Sequence, residues 1–116
     1  MPSTEQVLQH HLKAFGDADI QEFMADYASD AVLFTPNGPL KGHDAIRPAM
    51  QGVLAEFGKP GTQFAMKHQT VHDNHAYLVW TAETADNIYD LGTDSFVIQN
   101  GKIVAHFFAA KTTPRN

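Results

Sequence analysis

Residues 27–50 read YASDAVLFTPNGPLKGHDAIRPAM, and the reading of this stretch decides the fold. Tyr27 ends a helical pattern that Ser29 and Asp30 break. Ala31-Val32-Leu33-Phe34-Thr35 is strand-like, and Pro36 stops it by removing a ladder donor. Asn37-Gly38-Pro39 is predicted as loop, and another helix begins beyond it. Before this stretch the apolar period is helical, and after Thr62 nearly everything has the look of strand. Helices first and strands afterwards point to an α+β domain, with helices packed on one face of an antiparallel sheet.

Working outward towards the N-terminus, Ser3 and Gln6 have capping-box spacing, so a helix is predicted from about Thr4. Val7, Leu8, Leu12 and Phe15 form its buried stripe. His11 falls on that stripe, whereas His10 points to solvent. Asp19 and Glu22 repeat the spacing ahead of a second helix, whose inner face holds Ile20, Phe23, Met24 and Tyr27. The third helix is predicted over about Asp44–Phe57. Pro48 is awkward inside it and leaves a start near Arg47 as an alternative.

Towards the C-terminus, turn signals divide the chain into four strands, Gln63–His72, His75–Ala85, Asp90–Gln99 and Lys102–Lys111. Asp73-Asn74 and Asn100-Gly101 suit tight hairpins, and Asp86-Asn87 a looser connection. Alternation puts Ala76, Leu78, Trp80 and Ala82 on one face and Tyr77, Val79, Thr81 and Glu83 on the other. Both faces carry apolar residues. The face left bare by the helices is expected to meet a second copy, in a twofold homodimer.

The chain of 116 residues is read as one domain, 1–116, with a formal charge of −5. That balance argues against nucleic acid, which needs a clustered basic surface. Without cysteine there is neither a disulfide framework nor a thiolate zinc site. No apolar run has the length of a membrane span, and no signal-peptide pattern opens the chain. A cytoplasmic protein without membrane contact is the expectation.

The order helix, helix, short strand, a loop P-x-G-P-L-x-G-x-x-x-I, helix and strand meander resembles the nuclear transport factor 2-like superfamily. Within it the chain is most similar to the SnoaL-like and ketosteroid-isomerase-like branch, over about Glu5–Ala110. The resemblance implies a cone-shaped, cystatin-like fold: three N-terminal helices on a curved, mixed but mostly antiparallel sheet, with a pocket at the open end. Such a superfold hosts several chemistries, so function has to be argued from the site.

Asp94 shares the inward face of its strand with Phe96 and Ile98, where a carboxylate must be paired, protonated or functional unless it reaches water. D-x-F before the last hairpin resembles the hydrogen-bond-donating aspartic acid of ketosteroid isomerases. Two departures follow from the same resemblance. The isomerases' base falls on Thr35, and their helix-one tyrosine falls on His11, which argues against a steroid isomerase. The remaining catalytic candidates are Asp94, His106 and His11. Each histidine is alternatively a hydrogen-bonded core or interface residue.

The facing of His106 depends on the last hairpin. A two-residue Asn100-Gly101 loop pairs Asp94 with Phe107, and a three-residue loop from Gln99 pairs Asp94 with His106. The resemblance favours the second. Tyr27, Thr35, Met50, Leu54, Trp80, Phe96 and Phe108 are candidate substrate-binding walls, several of them equally ordinary core. His72 and His75 flank a turn and are read as a solvated tip. The expected activity is cofactor-independent proton transfer on a small apolar carbonyl compound, as in an isomerase, cyclase or dehydratase, with no metal. The alternative is a dimeric pocket protein that binds a small hydrophobic ligand without catalysis.

Overall fold

The computed structural model describes residues 1–115. Ser3 opens α1 (Thr4–Gly16) through a complete capping box with Gln6. The helix buries Val7, Leu8, His11 and Ala14. Asp19 caps α2 (Ile20–Ala25), which turns Phe23 and Met24 inward. Tyr27 is not on that helix, as the pattern suggested, but opens β1 (Tyr27–Thr35). The cause lies in Asp26, the C-cap residue, whose carbonyl accepts the Ile103 amide at 2.7 Å. That bond hands the chain to the sheet just before Tyr27 pairs with Ile103.

The loop expected at Asn37–Pro39 is also corrected. β2 (Gly38–Lys41) folds back on β1, with Thr35 opposite Gly38 and Phe34 opposite Pro39. β2 is a sheet edge, where a proline without an N–H is tolerated. α3 (His43–Phe57) contains Pro48 and does not wait for Arg47. The missing N–H costs one bond, while Ile46, Met50 and Leu54 bury along the inner face. His43 holds the helix start by donating from Nε2 to the Tyr27 carbonyl at 2.8 Å.

The meander follows as β3 (Gln63–His72), β4 (His75–Glu83), β5 (Asn87–Gln99) and β6 (Lys102–Pro114). The sheet order is β2-β1-β6-β5-β4-β3. Only the β1–β6 pair is parallel. β4 stops before Ala85 and β5 begins at Asn87, because the turn between them is tight rather than loose. The Thr84 amide bonds the Asn87 carbonyl at 2.9 Å. Glu56 of α3 accepts from the Thr84 hydroxyl at 2.6 Å, and from the Asn87 side chain and the Tyr89 hydroxyl at 2.9 Å each. Pairing with β5 carries β6 on to Pro114, beyond the expected end at Lys111.

In β4, Ala76, Leu78, Trp80 and Ala82 are buried, as alternation requires. On the outer face Tyr77, Ser95, Phe107 and Phe34 form a row across four neighbouring strands. Phe34 and Phe107 stack there at 4.7 Å and both remain exposed. Irregular registers in β3–β4, β4–β5 and β5–β6 bend the sheet round the helices.

The last hairpin takes neither anticipated register. Asn100 and Gly101, at φ 54° and 75°, form a two-residue loop with Gln99 opposite Lys102. This is the turn that Asn-Gly favours, since both residues tolerate positive φ. Ile98 faces Ile103 but Val97 faces Ala105, so Val104 is an extra residue in β6. The bulge puts Phe96 opposite His106 and Asp94 opposite Phe108. Asp94 and His106 therefore share the inner face as diagonal neighbours, although the three-residue loop is absent.

Candidate active site

A cavity of about 240 Å³ lies between the helices and the inner face of the sheet. Its wall is mostly apolar, with Phe15, Met50, Val53, Phe57, Phe96 and Phe108 among the residues that form it. The polar groups reaching it are few, chiefly His11, Asp94 and His106. Two hydrogen-bonded networks hold these three side chains.

The first network begins at Tyr27. Burial pushes its hydroxyl pKa well above the ordinary value, so it keeps its proton. The oxygen lies 2.8 Å from His106 Nδ1. A buried hydroxyl proton needs an acceptor, and Nδ1 is the one within reach, so Tyr27 donates and the ring proton sits on Nε2. Nε2 then donates to Asp94 Oδ1 at 2.7 Å. Asp94 Oδ2 accepts from the Trp80 indole N–H, also at 2.7 Å. Trp80 can lie there because its ladder partner is Gly92, where a Cβ would run into the indole. Both nitrogens of His106 and both oxygens of Asp94 are thus engaged by the protein.

The second network centres on Asp26, 8% exposed at the end of α2. His10 Nδ1 lies 2.8 and 2.9 Å from its two oxygens, and His10 Nε2 lies 3.0 Å from Glu22. A ring between two carboxylates can donate from both nitrogens once it carries its second proton, so the pair favours the imidazolium. Accordingly the hydrogen bonds to Asp26 and then Glu22 raise the His10 pKa.

His11 Nδ1 lies 3.0 Å from Asp26 Oδ2 and must donate, because the carboxylate only accepts. Its ring stacks on Phe23 at 3.8 Å between centroids, with Tyr27 and Phe96 at its edges. Burial lowers its pKa against the opposing hydrogen bond from Asp26. Nε2 is then a bare lone pair, buried, without a hydrogen-bond partner. A neutral imidazole held by a carboxylate, with its second nitrogen unbonded and buried in a side chain that lines an apolar cavity, has the parts of a general base.

The other expected residues divide. Met50, Trp80, Phe96 and Phe108 line the cavity. Leu54 is buried in the core but does not reach that wall. Tyr27 also stands behind it, through its bond to His106. Thr35 lies away from it, in the β1–β2 turn, donating to the Gly38 carbonyl and accepting from the Asn37 amide. His72 and His75 are exposed at their hairpin. Asp26 and His10 were not anticipated: His10, expected to point to solvent, is instead bonded to Asp26 and Glu22. Among the described residues no cluster of three or more His, Cys, Asp or Glu is placed to hold a metal ion.

The SnoaL-like domain family matches residues 8–106, and the chain belongs to that family. Solved structures agree on the fold. A Kribbella flavida protein is 18% identical, with 90% of this chain and 84% of that one covered and a TM-score of 0.77. A nuclear transport factor 2-like protein of unknown function from Mesorhizobium loti is 18% identical over 93% of this chain and 90% of its own, with a TM-score of 0.75. TerC, co-crystallised with polyporic acid, is 15% identical over 93% and 91%, with a TM-score of 0.73. No curated protein matches the chain. Among the described residues no helix is long and apolar enough to cross a membrane.

Proposed function

We propose that the protein is a cofactor-independent enzyme that transfers a proton at carbon in a small, mostly apolar carbonyl compound. The observation that carries this reading is the unpartnered Nε2 of His11, a side chain of the cavity wall that Asp26 holds from behind through Nδ1. His11 Nε2 takes a proton from the carbon beside the carbonyl, and the C–H electron pair passes into the enolate. Asp26 stabilises the imidazolium that forms. The proton returns to another carbon in an isomerisation, or passes from the His11 imidazolium to a β-hydroxyl that the enolate expels as water in a dehydration. Asp94 accepts two hydrogen bonds, so as a carboxylate its part is to orient His106 and Trp80 rather than to donate.

The test is exchange of carbon-bound hydrogen in D2O, followed by proton NMR over a panel of small alicyclic and aromatic ketones. Protein-dependent exchange that His11→Gln removes supports the reading, and exchange untouched by that change overturns it. A second reading is a ligand-binding protein without turnover. It is favoured by the saturation of His106 and Asp94 with internal bonds, and calorimetric binding of the same ketones without exchange would support it. In either reading the exposed Phe34–Phe107 row is where a second copy would pack, and sedimentation equilibrium with Phe107→Glu tests that pairing.

A further inference from the structure

Compensation of charge differs between Asp26, which stands behind His11, and Asp94 on the cavity wall. Asp26 faces the His10 imidazolium, so its charge is balanced at the surface. Asp94 is held by a neutral indole N–H and a neutral imidazole N–H. Among the described residues no lysine or arginine lines the cavity. The formal charge left at the wall is negative and unbalanced, its carboxylate side chain being 15% exposed.

The rest of the wall suits a cation. Phe57, Phe64, Trp80 and Tyr89 form one cluster, with the Trp80 ring 5.4–6.0 Å from the other three. All four line the cavity together with Asp94. Aromatic faces attract cations through their quadrupole, most strongly when water is excluded, and a carboxylate adds direct attraction. An anion there would lose its hydration and meet Asp94, with the Thr112 hydroxyl on the wall but no cationic side chain among the described lining residues to receive it.

We propose that the ligand of this cavity is a hydrophobic monocation, a compact apolar body carrying a protonated amine or quaternary ammonium group. This rests on the cavity being the ligand site, and it deepens the proton-transfer reading. Where such a cation also carries a carbonyl, the electron pair of the C–H bond passes into an enolate whose charge the ammonium balances, so no net anion is left beside Asp94. A neutral ketone would instead become an enolate facing that carboxylate.

The test compares three ligands on one frame by calorimetry at neutral pH: cyclohexyl methyl ketone, cyclohexanecarboxylate and cyclohexyltrimethylammonium. Trp80 is the only tryptophan and lines the cavity, so its emission reports occupancy independently. The cation is expected to bind about tenfold or more tighter than the carboxylate, with the ketone between. Asp94→Asn should collapse that spread. Should that variant not fold, Phe57→Leu keeps the carboxylate and should weaken the cation more than the ketone.

A carboxylate that binds as well as the cation overturns the proposal. So does a spread that survives Asp94→Asn, or an equal loss for cation and ketone in Phe57→Leu. Failure of all three ligands to bind overturns it together with the cavity as ligand site. Ketone exchange that depends on His11, without any preference for charge, overturns this inference alone and leaves the proton-transfer reading standing.

Discussion

His11 and His106 face the same cavity with ring centroids 6.4 Å apart, yet their surroundings have opposite consequences. His106 has a donor on one nitrogen and an acceptor on the other, so its hydrogen-bonding capacity is used up inside the fold. His11 has one nitrogen tied to Asp26 and the other bare. A carboxylate beside a histidine therefore does not by itself define a base. What matters is whether the second nitrogen is left over. The residues around His11 leave it over at a cost, since a buried polar atom without a partner is disfavoured. The cost is understandable if a substrate proton is the missing partner.

The largest expected contrast is between the two histidines themselves. His11→Gln should lower carbon-proton exchange by about 10²–10⁴-fold, the range for loss of a general base. His106→Gln, which can still donate and accept, should cost much less. Equal losses in the two variants would erase the distinction. Asp26→Asn comes next. It removes the charge behind His11 and leaves one amide oxygen for His10 and His11 to share, so exchange should fall by less than in His11→Gln, with a changed pH profile.

On the His106 side the expected damage is to stability. Gly92→Ala pushes a methyl group into the Trp80 indole, and overpacking of this kind costs about 1–3 kcal/mol. Urea denaturation followed by Trp80 emission checks this, and an unchanged midpoint would mean that the indole is not held against Gly92.

The smallest effects are in pH dependence, where neighbouring residues have opposite signs. His11 has a lowered folded pKa, so the unfolded chain binds its proton first as pH falls, and stability is lost below about 6.5. His10 has a raised folded pKa, so its contribution is full below about 6.5 and disappears as pH rises through the folded value. His10→Gln should abolish the decline above 6.5 and leave the acid-side loss in place. Because His10 is half exposed to solvent and salt, its share is small.

Much of this was legible in the chain. The Ser3–Gln6 box and the alternation in β4 follow from local period and turn chemistry, whereas the facing of His106 stayed open because it turns on the hairpin register. Tyr27 was misplaced because helical period runs smoothly into it, and only the distant Ile103 amide breaks the pattern. Val104 escaped because a bulge leaves no residue signature in an apolar run. The Asp26–His11 contact spans 15 residues and depends on the angle between two helices, which spacing along a single helix does not encode. A buried tryptophan with an N–H to satisfy was a usable sign that Asp94 had a partner, and it shows why Asp94 accepts rather than donates.

The most direct measurement is nitrogen-15 NMR of the imidazole rings across a pH titration, assigned with His11→Gln and His106→Gln. His11 should appear as the neutral Nδ1–H tautomer and titrate below the ordinary 6.5, while the hydrogen bonds of His106 give it the Nε2–H form. An Nε2–H tautomer for His11, or a titration at the ordinary value, would contradict the free base and with it the distinction between the two histidines.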